Sequence, residues 1–170
     1  MTVQLPPGSQ PQKKFLTAAR APYIAGAALL LATSMIAGFE GLVQRPYRDP
    51  VGILTVCYGH TGKDIEQRKY SKEECTALLQ ADIEKHAAAL ACIKTPMTEN
   101  QKVAFVSFAF NVGKTKFCNS TLVKRANAGD MAGACAELSK WVYGNKGGAM
   151  VKLPGLVKRR AAERAVCEKE

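Results

Sequence analysis

The 19 residues from Ala21 to Phe39 carry no charge, and Glu40 follows them with no spacer. A run of that length can cross a hydrocarbon core of roughly 30 Å as a helix. It is also rich in small residues. Eight of the 19 are Ala or Gly, and Thr33 and Ser34 are polar. Leu, Ile and Phe each favour insertion by only a few tenths of a kcal/mol, about 0.3–0.6, and small residues add almost nothing, so insertion is marginal. Residues 1–20 read as a basic polar tail. Pro6, Pro7 and Pro11 break regular structure there, and Lys13, Lys14 and Arg20 are its only charges. Positive charge on that side keeps it in the cytoplasm and sends everything after Phe39 outward. Four fates are open to the run. It can be a cleaved signal peptide with Ala32-Thr33-Ser34 as a small-x-small site, a permanent anchor, a weak anchor that later leaves the bilayer, or a buried core helix.

What remains, residues 40–170, suits one domain. Six cysteines are unusual for a reducing compartment and fit an exported domain. There is no C-x-x-C pair, and only two histidines, so neither a zinc ribbon nor a His-rich metal site has support. The net charge of +10 suggests an anionic partner. Nucleic acid is not expected, because no helix-turn-helix signature or interleaving of basic and aromatic residues stands out.

The domain reads as α+β, a small sheet followed by a helical bundle. Asp49-Pro50-Val51-Gly52 is a turn signature, and Ile53, Thr55, Val56 and Tyr58 are strand formers, so a hairpin is expected between Gln44 and Thr61. Ser71-Lys72-Glu73-Glu74 and Thr98 to Gln101 are capping boxes that open two helices. Gly113 ends the second of these, which runs to Asn111. Shorter helices fit Ser120 to Ala128 and Asp130 through Trp141, the latter residue in the core. A loop through Gly147-Gly148 then leads to Pro154 and a final basic helix to about Glu168.

Three polar residues flank the first turn. Glu40 precedes Asp49, and Thr55 lies on the return strand. Two carboxylates across a cleft suit glycosidic hydrolysis: one donates a proton to the leaving oxygen and the other activates water. Phe39, Leu42 and Val43 around Glu40 predict an apolar setting, which suits a carboxylic acid that must hold its proton. Asp49 on an exposed turn is expected to stay charged, and the Thr55 hydroxyl can hold the water.

Gly38-Phe39-Glu40-Gly41, Tyr47-Arg48-Asp49-Pro50-Val51-Gly52 and Leu54-Thr55-Val56-Cys57-Tyr58-Gly59-His60-Thr61 closely resemble the phage-type lysozymes of glycoside hydrolase family 24. Ser107-Phe108-Ala109-Phe110-Asn111-Val112-Gly113 and Phe117-Cys118-Asn119-Ser120-Thr121-Leu122 look like that family too. Together with the weak export segment, the chain is most similar to signal-arrest-release endolysins of phages that infect Gram-negative bacteria. The resemblance implies a lysozyme-like fold. It implies inverting hydrolysis of the β-1,4 bond between N-acetylmuramic acid and N-acetylglucosamine in peptidoglycan, with Glu40 as acid and Asp49 and Thr55 handling water. It implies Thr61, Phe110, Asn111 and Ser120 as sugar contacts, and a structural His60–Asp82 pair. No cofactor or metal is implied. Partners are the glycan strands, the inner membrane through residues 21–39 and the export translocon, and the protein is a monomer. The domain would be periplasmic, first tethered and then released. Cys57 departs from the pattern, since many relatives carry Gly there. Rival readings are a lytic transglycosylase and a non-enzymatic cationic membrane-active protein.

Cys57, Cys75, Cys92, Cys118, Cys135 and Cys167 allow fifteen disulfide connectivities. Joining successive elements gives 57–75, 92–118 and 135–167. None lies between Ala21 and Phe39, so the route by which some members of the resembled group unblock an active-site thiol with a membrane-segment cysteine is closed to this chain. Geometry offers another control. With residues 21–39 in the bilayer, Glu40 sits at the membrane surface, and release would let the segment refold beside the domain. The eight Lys/Arg against three Glu of residues 140–170 read either as steering toward an anionic wall polymer or as a solvated helix face.

Overall fold

In the computed structural model, which describes residues 23–169, much of the uncharged run is a helix packed into the domain. The basic tail 1–20 and the first two residues of the 21–39 segment lie outside the described residues. Helix α1 spans Gly26–Glu40. Its small residues explain how it packs. Ala28, Ala32, Thr33 and Ile36 are buried, at the i, i+4, i+8 spacing that lines one helix face. Thr33 returns its hydroxyl to the Leu29 carbonyl at 2.7 Å, so it brings no unpaired polar group inside. Leu30 and Leu31 stay exposed on the outer face. Among the described residues no helix is long and apolar enough to cross a membrane.

Gly41, at φ 72°, turns the chain out of α1 into strand β1 (Val43–Arg48). Strands β2 (Leu54–Cys57) and β3 (His60–Thr61) complete an antiparallel sheet in the order β1-β2-β3. Its register sets Tyr47 opposite Thr55, and Thr55 opposite Thr61, so these three share one face.

Helices follow. Helix α2 (Lys72–Ala87) and α3 (Glu99–Val112) both start at complete capping boxes, Ser71 with Glu74 and Thr98 with Gln101. A 3₁₀ turn (Ala88–Cys92) joins them. Every residue from Val103 to Ala109 is buried, so α3 is the central helix, with α1, α2 and the last helix packed around it. Phe105 and Phe108 from α3 meet Phe117 at 6.5 and 6.0 Å between ring centroids. Short helices α4 (Lys114–Cys118), α5 (Thr121–Asn127) and α6 (Met131–Glu137) close that side. Trp141 lies edge-on to Phe108 at 5.1 Å, part of the core as expected. The Gly147-Gly148 segment is not a simple loop. It is the two-residue turn of a hairpin, β4 (Tyr143–Lys146) with β5 (Ala149–Lys152), and both glycines have positive φ. Helix α7 (Pro154–Cys167) ends the fold.

Three disulfides join Cys57 to Cys75, Cys92 to Cys118 and Cys135 to Cys167. They tie β2 to α2, the 3₁₀ turn to α4, and α6 to α7. Cys57 is the one described non-glycine residue with positive φ, at 63°. A side chain in that region costs about 1–2 kcal/mol, a cost that glycine would avoid. Here the cross-link to α2 holds the backbone there instead. Two variants isolate the backbone cost, since both lack the disulfide. Cys57→Gly with Cys75→Ser is expected to be more stable than Cys57→Ala with Cys75→Ser by about 1 kcal/mol in chemical denaturation. Equal midpoints and slopes would contradict this.

Candidate functional site

The C-terminal end of α1 delivers Glu40 to the mouth of a 560 Å³ cavity lined also by Phe39, Asn111, Leu153, Leu156 and Arg159. The Glu40 side chain is 26% exposed. Its setting differs from the apolar one that its sequence neighbours predict. Arg159, buried on α7, donates from Nη1 to Glu40 Oε1 at 2.5 Å. The guanidinium also lies over the Phe39 ring, 5.0 Å from its centroid. Among the described residues Glu40 Oε2 takes no hydrogen bond, so one carboxylate oxygen is held and the other is available.

Arg159 is itself held. Its Nε donates to Glu163 Oε1 at 3.1 Å and its Nη2 to the Ser107 carbonyl at 3.1 Å. Ser107 Oγ donates to the same Glu163 oxygen at 2.7 Å. Arg160 pairs with the other oxygen of Glu163, reaches Asn111 Oδ1, and donates from Nε to the Trp141 carbonyl at 3.1 Å. Glu163 is wholly buried. Burial pulls the Arg160 guanidinium below its ordinary pKa, and the neighbouring Glu163 charge opposes that pull. Two arginines thus share one buried carboxylate, Glu163, beneath the cavity, and Arg159 also reaches the Glu40 carboxyl that lines it. The basic C-terminal stretch is therefore not simply a solvated face: Arg159 and Arg160 turn inward. Their signal was the spacing of Arg159 and Arg160 to Glu163, at i+4 and i+3 on one helix.

Asp49 sits at the turn after β1. Its Oδ1 accepts the backbone N–H groups of Val51 at 3.0 Å and Ile53 at 2.8 Å, which fixes the carboxylate. Among the described residues its Oδ2 has no partner. Ile53 links it to Thr55: the Ile53 carbonyl accepts the Asp49 N–H at 3.0 Å and the Thr55 hydroxyl at 3.1 Å. Asp49 and Thr55 are therefore neighbours around one peptide group. Neither lines the cavity at Glu40.

A second cavity, 370 Å³, brings Thr61 and Phe110 together with Gly59, Asp82, Lys85 and His86. Asn111 joins Glu40's cavity to a third, of 650 Å³, walled by Trp141, Tyr143, Met150 and Lys116. Ser120 is placed differently. It is buried, donates to the Phe117 carbonyl at 2.6 Å and caps α5 by accepting the Val123 N–H at 3.2 Å. His60 Nδ1 pairs with Asp82 Oδ2 at 2.7 Å, a buried strut between β3 and α2.

Residues 37–163 match the family model described as phage lysozyme. The chain is 47% identical over 128 residues to the SAR-endolysin of Escherichia phage Mu, covering 75% of this chain and 72% of that one. It is 44% identical over 152 residues to the SAR-endolysin of Bacteriophage PS119, covering 85% and 89%. Among solved structures it is similar to the muramidase domain of SpmX from Asticaccaulis excentricus, with a TM-score of 0.76 and 32% identity, covering 82% of this chain and 95% of that one.

The buried charge cluster makes a stability prediction. Glu163→Gln leaves two buried guanidinium groups without the buried carboxylate they share. Removing one partner of a buried pair costs about 3–5 kcal/mol. For a chain of this size, thermal melting should fall by roughly 6–20 °C. A fall of less than about 3 °C would show that the cluster does not hold α7 in place.

Proposed function

The chain belongs to the phage lysozyme family, and from that membership we propose how its residues divide the work. The activity is that of an endolysin, a lysozyme-type glycoside hydrolase acting on the glycan strands of peptidoglycan. The bond is the β-1,4 link between N-acetylmuramic acid and N-acetylglucosamine. The observation that carries the assignment of roles is Glu40 itself, a carboxyl at a cavity with Oε1 tied to a buried arginine.

Glu40 is the acid. It gives the proton on Oε2 to the glycosidic oxygen as the bond to the anomeric carbon breaks. Arg159 orients the carboxyl beforehand and is already paired with the carboxylate that remains afterwards. Water attacks the anomeric carbon from the opposite face and passes its proton to Asp49 Oδ2, while the Thr55 oxygen accepts a hydrogen bond from that water. The products are a reducing sugar and a free hydroxyl, and the anomeric configuration inverts. Thr61, Phe110 and Asn111 contact the sugars, and Ser120 supports the wall as the cap of α5.

Residues 40–170 form the catalytic domain, residues 21–39 a weak signal-anchor and residues 1–20 its cytoplasmic tail. Tethering blocks catalysis for a geometric reason. Helix α1 cannot lie in the bilayer and also bury Ala28, Ala32 and Ile36 against α2 and α3. Without that packing, Phe39 and Glu40 are not delivered to Arg159. Release into the periplasm lets α1 dock and completes the site. Export needs the translocon, and the released enzyme acts as a monomer.

Two experiments test this. Mass spectrometry of digested peptidoglycan should find reducing muropeptides with the wild type, and at least a ~100-fold lower yield with Glu40→Gln, the scale of a lost general acid. Anhydro-muropeptides would instead identify a lytic transglycosylase, and undiminished killing by Glu40→Gln a cationic membrane-active protein. For the anchor, Ala25, Ala27 and Ser34 are exposed in the folded domain, so leucine there raises apolarity without entering the core. The triple variant should stay in the membrane fraction and lyse cells late or not at all. Full activity while membrane-bound would overturn control by release.

A further inference from the structure

We propose that His86 is a substrate-binding residue that reads the acetamido group of an amino sugar, a specificity device that rests on the hydrolase reading above. His86 lies on the last turn of α2. Its Nδ1 is 2.8 Å from the Asp82 carbonyl, which can only accept, so Nδ1 carries the proton and donates. In the neutral ring Nε2 is then an acceptor, directed away from the helix backbone. Among the described residues Nε2 has no partner, and no buried side-chain nitrogen or oxygen lacks one. Nε2 is therefore not sealed off from solvent, and it belongs to a ring that lines the 370 Å³ cavity.

The other groups of that cavity have defined capacities. Both Asp82 oxygens are engaged, Oδ2 by His60 at 2.7 Å and Oδ1 by Lys85 at 3.1 Å. Asp82 is a scaffold here and not a free acceptor. Thr61 is exposed and its hydroxyl can donate. The Phe110 ring packs on the His86 ring, 4.8 Å between centroids at 46°, and forms an apolar wall. Acceptor, donor and apolar wall together complement one group: the amide N–H meets His86 Nε2, the carbonyl meets the Thr61 hydroxyl, and the methyl meets Phe110. The volume lies in the range of small-molecule sites. Glu40 opens onto a separate cavity, so this subsite acts on binding and not on proton transfer.

Kinetics of reducing-end release from purified glycan strands, native and chemically de-N-acetylated, decide the matter. His86→Phe keeps a ring against Phe110 but removes Nε2. On native strands it should raise KM about five-fold, the equivalent of one hydrogen bond, with kcat within about two-fold of wild type. Thr61→Val should behave alike. De-N-acetylation should raise the wild-type KM, and that penalty should shrink by the same factor in His86→Phe. An unchanged KM in His86→Phe, or an undiminished penalty, would overturn the assignment while leaving the hydrolase intact. Absence of reducing ends from the wild type would instead sink the hydrolase reading, and this one with it.

Discussion

The side chain on which the site depends is Glu163, which lines none of the three cavities. It is fully buried on α7, and both its oxygens are claimed by guanidinium groups from its own helix. An unpaired arginine in the interior would cost several kcal/mol, so Glu163 is what allows Arg159 and Arg160 to enter at all. Once inside they work outward. Arg159 reaches α1 and holds Glu40, and Arg160 reaches Asn111 and the Trp141 carbonyl. The central helix α3 contributes Ser107 to the same cluster. Glu40 is thus oriented by a hydrogen-bonded charge network anchored on α7.

Helix α1 carries a second constraint. A segment made strongly apolar would enter a bilayer easily but could not approach α3 closely. In the proposed control by release, its alanines meet both demands. They cost little in lipid, and at Ala28 and Ala32 they let the helix lie against the domain. Leu30 and Leu31 stay exposed, apolar side chains that the folded domain does not cover.

Much of the local architecture was legible. The two capping boxes, the Asp49 turn and the Gly113 stop all appear where the residue pattern placed them, because each depends on hydrogen bonds spanning only a few residues. The same locality brings Asp49 and Thr55 together: both bond the Ile53 carbonyl. The second hairpin was missed although Gly147-Gly148 is a turn pair, because Tyr143 to Lys152 is too polar and exposed to show strand alternation. Ser120 was read for its likeness to sugar-contacting positions, yet its hydroxyl is spent on the cap of α5.

By itself, then, the sequence determined the first hairpin and the main helices, their caps, the placement of Glu40 directly after an uncharged run, and the residues that carry the family likeness. Tertiary structure alone decided which face of α1 is buried and that Glu40 meets a guanidinium. It also decided that His86 shares a cavity with Thr61 and Phe110. The Arg159–Glu40 contact joins residues 119 positions apart. Such a pair leaves no periodic trace in the chain. Whether an arginine on a basic helix faces water or the core depends on whether its partner is buried, and only the packing of α7 against α3 buries Glu163.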